Sequence, residues 1–401
     1  MKKRLSSILL LVLTMTISGC SFNRGENNTP DDPKDDIDPA NLIQIEYSNP
    51  LTFVIGINET LGFESIADPY VMYVEEDECF YLVASNTYYH DGNFIPRFDY
   101  GGIWKSKDLS KWTYLTTVFP NQENDLTWLE DTTDEDGRLQ INAPNLAHIG
   151  NYYIYYYTLT RGYAHNPGIG YAYATSMAGP WTNGGKLFRS EEIEVMNSSD
   201  QDVFVDDDGT VYMAFGSGDG IWLIELTSDG MGLKNGIEYA KEHKKWIAGK
   251  KQAVGAKDNY EAANIAKKNG YYYLYLSTGG WSGGINSGYH TLVGKSKQIG
   301  GPYFDSLGRD LKDEFQGDDV LLPNKSTATG VGHSNILVDA LGQEWIFYHG
   351  YDQTGVGNPN TRILFCDKII YNKDTEMPYV ENYTPKYEKH EGPCVKGASH
   401  E

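Results

Sequence analysis

The sequence predicts an all-β chain folded as a five-bladed β-propeller, and three observations predict it. Short aromatic and β-branched runs, broken by Gly, Asn and Asp, fill the chain, and no long amphipathic helical pattern interrupts them. One unit recurs five times: a polar start, an alternating strand, a turn, then an aromatic-rich strand. The units begin at residues 67, 143, 200, 261 and 332, a spacing of 57 to 76 residues that suits four strands and their loops.

The elements follow in chain order. "MKKR" supplies a positive start, and the ten apolar-core residues "ILLLVLTMTI" are too few to span a bilayer. "ISGC" then resembles a bacterial lipobox, so residues 1–20 are expected to be a lipoprotein signal peptide with lipidated Cys20. That places the chain in a bacterial cell envelope, held by lipid alone at the cell surface or the periplasmic face. Residues 21–44, "SFNRGENNTPDDPKDDIDP" and onward, are too polar and acidic to bury a core and read as a disordered tether. The propeller is expected over 45–385. Its units are "ADPYVMYVEEDECFYLVAS", "APNLAHIGNYYIYYYT", "DQDVFVDDDGTVYMAFGS", "EAANIAKKNGYYYLYLS" and "GHSNILVDALGQEWIFYHG". Each is followed by another hairpin, as in "GGIWKSKDLSKWTYL". Residues 386–401 read as a charged tail.

The chain has 401 residues, with 33 basic against 55 acidic side chains and a net charge of −22. Such a chain repels nucleic acid and acidic polymers, and accepts a neutral partner or a cation more readily. Cys79 and Cys366 sit in apolar strand-like runs and read as small buried residues. A disulfide among Cys79, Cys366 and Cys394 stays open, and no C-x-x-C metal spacing occurs.

The most acidic stretch, "SSDQDVFVDDDGTVYMAFGS", invites a calcium-loop reading. It fails: with Gly209 at loop position 6, phenylalanines fall at positions 1 and 12, where ligands are required. The stretch reads instead as a hairpin with a tight Asp-Gly turn, leaving Asp206, Asp207 and Asp208 in solvent. Asp200, before the first strand, needs another explanation.

The repeat register supplies one. The first strand of each propeller blade lines the central channel. Equivalent positions therefore converge on one mouth, bringing Asp68, Asn142, Asp200, Glu261 and His333 together. Three acids at a narrow axis lose water and repel one another, which raises at least one pKa. Such a cluster suits a catalytic site or a cation site. Two carboxyls across a cleft suit glycosidic bond cleavage, one protonating the leaving oxygen while the other activates water.

The ordered motifs "ADPY", "APNL", "SSDQDVFVDDDG", "NYEAANIAKKNGYYYLYLS" and "GHSNILVDALGQEWIFYHG" resemble glycoside hydrolase family 43. That resemblance implies an inverting hydrolase of arabinose- or xylose-containing glycans. It makes Asp68 the general base, Glu261 the general acid and Asp200 the modulator of the acid's pKa. It requires no cofactor for the chemistry, but implies a structural Ca2+ at the axis, with His333 as a minor ligand. "STGGWSGGINSGYHTLVGKSKQIGGPY" is similar to the blade-four loop of α-1,5-arabinanases, pointing to arabinan as the neutral plant polysaccharide, with arabinoxylan or xylan as alternatives. Asn142, Gln201 and Ala262-Ala263 depart from the family's Trp, Pro and Gly-Pro at those places. Asn142, Tyr88, Tyr89, Phe98 and Trp281 are the candidate sugar contacts. The expected protein is a monomeric surface enzyme. An exo-acting α-L-arabinofuranosidase, a β-xylosidase, and a glycan-binding propeller without catalysis are the alternatives.

Overall fold

The computed structural model describes residues 41–51, 54–55, 61–62, 65–90, 93–96, 100–129, 139–161, 166–250, 260–313, 316–355 and 360–397. For the strand segments at 54–55, 61–62, 87–90 and 93–96 only the backbone is described. The expected signal peptide and Cys20 lie outside the described residues.

Five antiparallel four-stranded blades follow one another along the chain. Blade one comprises Tyr70–Val74, Cys79–Val83, Gly102–Ser106 and Trp112–Thr117. Blade two comprises Leu139–Ile149, Tyr152–Arg161, Gly168–Ala174 and Thr182–Arg189. Blade three comprises Asp202–Val205, Val211–Phe215, Ile221–Glu225 and Lys245–Ala248. Blade four comprises Glu261–Lys268, Tyr271–Thr278, His290–Ser296 and Asp318–Leu321. Blade five comprises Ala328–Val338, Glu344–Asp352, Ile363–Tyr371 and Pro378–Val380.

The aromatic richness of each second strand has a direct cause. That strand is sandwiched between neighbouring blades, so both its faces are dry. Cys79–Val83 and Glu344–Asp352 are buried at every position, whereas the outermost strand of blade two, Thr182–Arg189, is largely open. Among the described residues the apolar core divides into five clusters, one for each interface between adjacent blades. Each blade therefore buries its surface only against its neighbours, which makes the ring cooperative.

The two ends of the domain differ from the expectation. His390–Lys396 pairs antiparallel with Leu42–Tyr47, from Leu42 opposite Lys396 to Tyr47 opposite His390. The stretch expected as a charged tail thus supplies a strand, as does the end of the expected tether. Charged residues at its two ends hide the pattern in the sequence, while Pro393, Cys394 and Val395 are buried. Asn49 staples this ribbon to blade five. Its amide donates to the Cys366 carbonyl at 2.8 Å and its carbonyl accepts the Cys366 N–H at 2.9 Å. Cys79, Cys366 and Cys394 are buried free thiols.

The acidic hairpin also differs in detail. Val205 pairs with Val211, so five residues rather than two make the turn, with Gly209 at φ +82°. Asp206 is half-buried and paired: it accepts Lys267 Nζ and the Tyr272 hydroxyl, both at 2.5 Å.

A polar belt closes around the axis. Asp202 of blade three accepts Asn145 Nδ2 of blade two at 3.1 Å and Asn264 Nδ2 of blade four at 2.9 Å. Its second oxygen accepts the Ile265 N–H at 2.9 Å. Asn264 Oδ1 accepts Ile336 N–H of blade five at 3.1 Å. Asn335 then exchanges two 3.0 Å bonds with the Val71 backbone of blade one, and Tyr70 of blade one bonds to Asn145. All five blades are joined in one circuit.

Candidate active site

The inner strands reach the channel mouth through an unusual backbone. Asp68, Ala143, Asp200, Ala262 and His333 adopt φ of 53°, 43°, 55°, 55° and 52°, one residue per blade. This left-handed conformation is uncommon outside glycine, and worth about 1 kcal/mol or more of strain where it occurs. It coincides with register breaks between Asn142 and Asn145, Glu261 and Asn264, and Gly332 and Asn335. The true repeat-equivalent set therefore contains Ala143 and Ala262. Asn142 and Glu261 stand one residue earlier, a correction that the pairing register explains. The belt residues lie two positions after each left-handed residue, beneath the mouth.

Asp68 is gripped from four sides. Its Oδ2 accepts the Ser85 hydroxyl at 2.5 Å, and its Oδ1 accepts Arg362 Nη1 at 3.1 Å. His333 Nδ1 lies 3.3 Å and His349 Nδ1 3.6 Å from Oδ1. Burial alone would raise the Asp68 pKa. The guanidinium of Arg362, the two imidazoles and the Ser85 hydroxyl outweigh it and hold Asp68 well below the usual carboxylate range. The Asp68 N–H donates to His349 Nδ1 at 3.1 Å, which assigns that ring's proton to Nε2.

Asp200 and Glu261 meet the opposite fate. Burial, then the charges of Glu261 and Asp68, push Asp200 well above its ordinary value. Burial also pushes Glu261 up, against hydrogen bonds from Tyr289 and Ser217. The Tyr289 hydroxyl reaches Oε1 at 2.7 Å and the Ser217 hydroxyl reaches Oε2 at 3.0 Å. Asp200 Oδ2 accepts the Ala262 N–H at 3.2 Å. Burial and the like charge of Glu261 both favour the protonated form of Asp200, and burial favours that of Glu261. The mouth thus holds one carboxylate stabilised as an anion and a second centre disposed to keep a proton. That is the division of labour required for acid–base hydrolysis.

The other expected residues fare differently. Asn142 donates to Thr160 Oγ1 at 3.0 Å on the neighbouring strand of its own blade. Gln201, where proline was expected, is buried and ties blades two and three, donating to the Ala143 carbonyl at 2.7 Å and accepting Thr158 Oγ1 at 2.8 Å. The Trp281 ring lies over the Arg362 guanidinium at 5.2 Å. Tyr88 and Tyr89 lie on the strand Thr87–His90, whose side chains, like all of Phe98, are outside the described residues. Sequence reasoning missed Arg362, His349, Ser85, Tyr289 and Ser217. Four of these stood inside quoted motifs, Ser85 in "YLVAS", Ser217 in "MAFGS", Tyr289 in "NSGYH" and His349 in "FYHG", but none carries a charge that marks it in the sequence.

His333 is pulled below its ordinary pKa by burial, against the pull of Asp68. The His333 Nδ1 faces Asp68 Oδ1 at 3.3 Å. An axial cavity beneath it is lined by Asp200, Asp202, Asn145, Asn264, Ser334 and other residues. Among the described residues no three His, Cys, Asp or Glu side chains converge as a metal cage.

The model of glycosyl hydrolases family 43 matches residues 62–377. Extracellular endo-alpha-(1->5)-L-arabinanase 1 of Bacillus subtilis is 29% identical over 298 residues, covering 70% of this chain and 85% of that protein. Extracellular exo-alpha-(1->5)-L-arabinofuranosidase of Cellvibrio japonicus is 30% identical over 267 residues, covering 62% and 72%. The fold is similar to that of Cellvibrio cellulosa alpha-L-arabinanase complexed with arabinohexaose, with TM-score 0.64, 23% identity and coverage of 80% and 98%. It is also similar to the endo-arabinanase of Bacillus licheniformis, with TM-score 0.63, 24% identity and coverage of 80% and 99%.

Proposed function

The chain belongs to glycosyl hydrolases family 43 and is a glycosidase, and we propose that it hydrolyses α-1,5-linked L-arabinan with inversion at the anomeric carbon. Asp68 is the general base that takes a proton from the attacking water. Glu261 is the general acid that protonates the leaving oxygen, and Asp200 is the buried neighbour that keeps that proton in place. One observation carries the reading: a single channel mouth holds Asp68 as an anion beside Arg362 while burial drives Asp200 and Glu261 toward the protonated form.

Incubation of the pure protein with debranched arabinan tests it, with product size and anomeric configuration followed by chromatography and NMR. Release of arabino-oligosaccharides with inverted configuration is expected. No release from arabinan, with or without calcium, sinks the substrate assignment. The exo relative, at an identity similar to the endo one, favours one second reading, an exo-acting enzyme that releases arabinose or short products from a chain end. A time course of product length separates the two.

A calcium ion at the axis would take His333 as a minor ligand and would supply positive charge beneath the three acids. The "ISGC" signal and the extracellular relatives support export and anchoring through lipidated Cys20. Replacement of Cys20 by alanine should release the enzyme from membranes, and retention of the variant in the membrane fraction would defeat the anchor.

A further inference from the structure

The loop between the second and third strands of blade four is tied at its neck and to blade five. Its neck is closed by backbone: a Cβ on Gly279, at φ +92°, would approach the Gly288 carbonyl at 2.6 Å. Inside the neck the Ser287 hydroxyl donates to the Gly280 carbonyl at 2.6 Å, and Gly284–Asn286 form a 3-10 turn. From blade five, the Tyr351 hydroxyl donates to the Trp281 carbonyl at 2.8 Å. The indole is thereby laid over the Arg362 guanidinium, 5.2 Å from the ring centre. Arg362 is almost wholly buried, and its Nη1 holds Asp68 at 3.1 Å. At the other end of the same loop the Tyr289 hydroxyl holds Glu261 at 2.7 Å. The Tyr289 ring lies parallel to that of His349, 5.6 Å away.

We propose that Trp281 is a positioning residue for the base: through its face on Arg362 it fixes the guanidinium, and so the carboxylate of Asp68, relative to the acid that the same loop holds through Tyr289. This rests on the arabinan-hydrolase reading for the identity of base and acid. The contact has the physics of a cation–π pair, which grows stronger where water is excluded. Its consequence is geometric. A guanidinium without that face can swing, and misplacement of a catalytic group by a fraction of an ångström to an ångström costs turnover rather than binding. A sugar-stacking Trp281 makes the opposite demand: its loss should weaken binding and spare turnover.

The test uses the full-length protein with Trp281→Leu and Trp281→Phe. On arabinan, Trp281→Leu is expected to lower kcat by about tenfold or more, with KM changed by less than about twofold. Trp281→Phe keeps an aromatic face and should recover most of the lost kcat. A raised KM with kcat retained makes Trp281 a sugar platform and overturns the proposal, as does a Phe variant no better than Leu. A second arm needs no substrate. In protein labelled with 5-fluorotryptophan, the Trp281 19F resonance, identified by its absence in Trp281→Phe, should move when Arg362→Met removes the cation. An unmoved resonance refutes the contact whether or not arabinan is the substrate. An inactive wild type with a moved resonance refutes the substrate reading alone.

Discussion

Replacing Glu261 by glutamine isolates the proton from the rest of the site. Both Glu261 oxygens already accept hydroxyl hydrogens, from Tyr289 at 2.7 Å and from Ser217 at 3.0 Å. Glutamine keeps the oxygen that meets Tyr289. Its amide nitrogen faces Ser217, whose hydroxyl is able to rotate and accept. The exchange therefore costs at most about 1 kcal/mol of hydrogen bonding, and it removes a buried ionisable group, so thermal stability should be kept. What is lost is the transferable proton. On arabinan, whose leaving sugar alkoxide needs protonation, kcat/KM should fall by about 10²- to 10⁴-fold, equivalent to about 3 to 5 kcal/mol of transition-state stabilisation. On an aryl arabinofuranoside with an acidic phenol as leaving group, the same variant should lose less than about tenfold, because the departing phenolate needs little help. The pH profile should change in step. In the wild type, activity falls as pH rises and the Asp200–Glu261 pair gives up its proton; in Glu261→Gln that basic limb disappears. Equal losses on both substrates, or a basic limb unchanged in the variant, would refute Glu261 as the acid.

Asp68→Ala should abolish hydrolysis of arabinan, and added azide should restore turnover of an aryl substrate by forming the inverted glycosyl azide; a retained azide product would show the base assignment to be wrong. Ser85→Ala removes a 2.5 Å hydrogen bond to Asp68 and strands the Ala143 N–H, which donates to Ser85 at 2.9 Å. Losing a hydrogen bond to a charged group, about 1.5 to 3 kcal/mol, should move the acid limb of kcat/KM upward by about one to two pH units. Asp202, pushed up to about 7 by burial, holds a proton in the folded state that the unfolded chain releases near pH 4. Stability should therefore decline as pH rises between about 4 and 7, by up to about 4 kcal/mol, and Asp202→Asn should flatten that slope in urea melts at a series of pH values. Chelation followed by calcium addition should raise the melting temperature of the wild type and not that of His333→Ala, if His333 serves the axial cation; equal responses would separate the two.

How much of this was legible follows from what each contact leaves in a sequence. The blades were visible because two dry faces demand aromatic runs such as "YYYLYL", and because the unit recurs with its turns. The acids were visible because charge at the start of an inner strand is costly and therefore conspicuous. The exact register was not. Glu261 and Ala262 exchange roles as soon as a bulge separates Glu261 from Asn264, and nothing in "YEAAN" marks which residue takes positive φ. Arg362 was invisible for another reason. It lies 294 positions from Asp68, and a basic residue before an apolar strand looks like an ordinary strand boundary. Trp281 was noticed, but an aromatic in a glycine-rich loop gives no sign of whether its face meets a sugar or a guanidinium. The C-terminal strand was obscured because charged residues stand at its two ends and its partner lies at the far end of the chain.

The arrangement of charge explains why these acids tolerate burial. Removing one carboxylate from water is costly unless a cation and hydrogen bonds replace the solvent. Asp68 receives both, from Arg362 and Ser85. No second guanidinium serves Asp200 and Glu261 among the described contacts, so the lower-cost solution for them is to keep a proton. Asp202, one layer below, follows the same rule with amides alone: three N–H donors and no cation, and a pKa raised by burial. The five left-handed residues then matter as geometry. Each turns the chain at the mouth while the residue two places later locks into the belt, so the acids cannot relax apart without breaking hydrogen bonds between blades. A loosened belt should therefore allow the pair to separate, weaken the mutual repulsion that holds the proton, and move the basic limb of activity to lower pH. Asn264→Ala, which removes a donor to Asp202 and an acceptor for Ile336, should produce that downward shift, and a variant that loses stability with its basic limb unmoved would show that the belt supports the fold without tuning the acid.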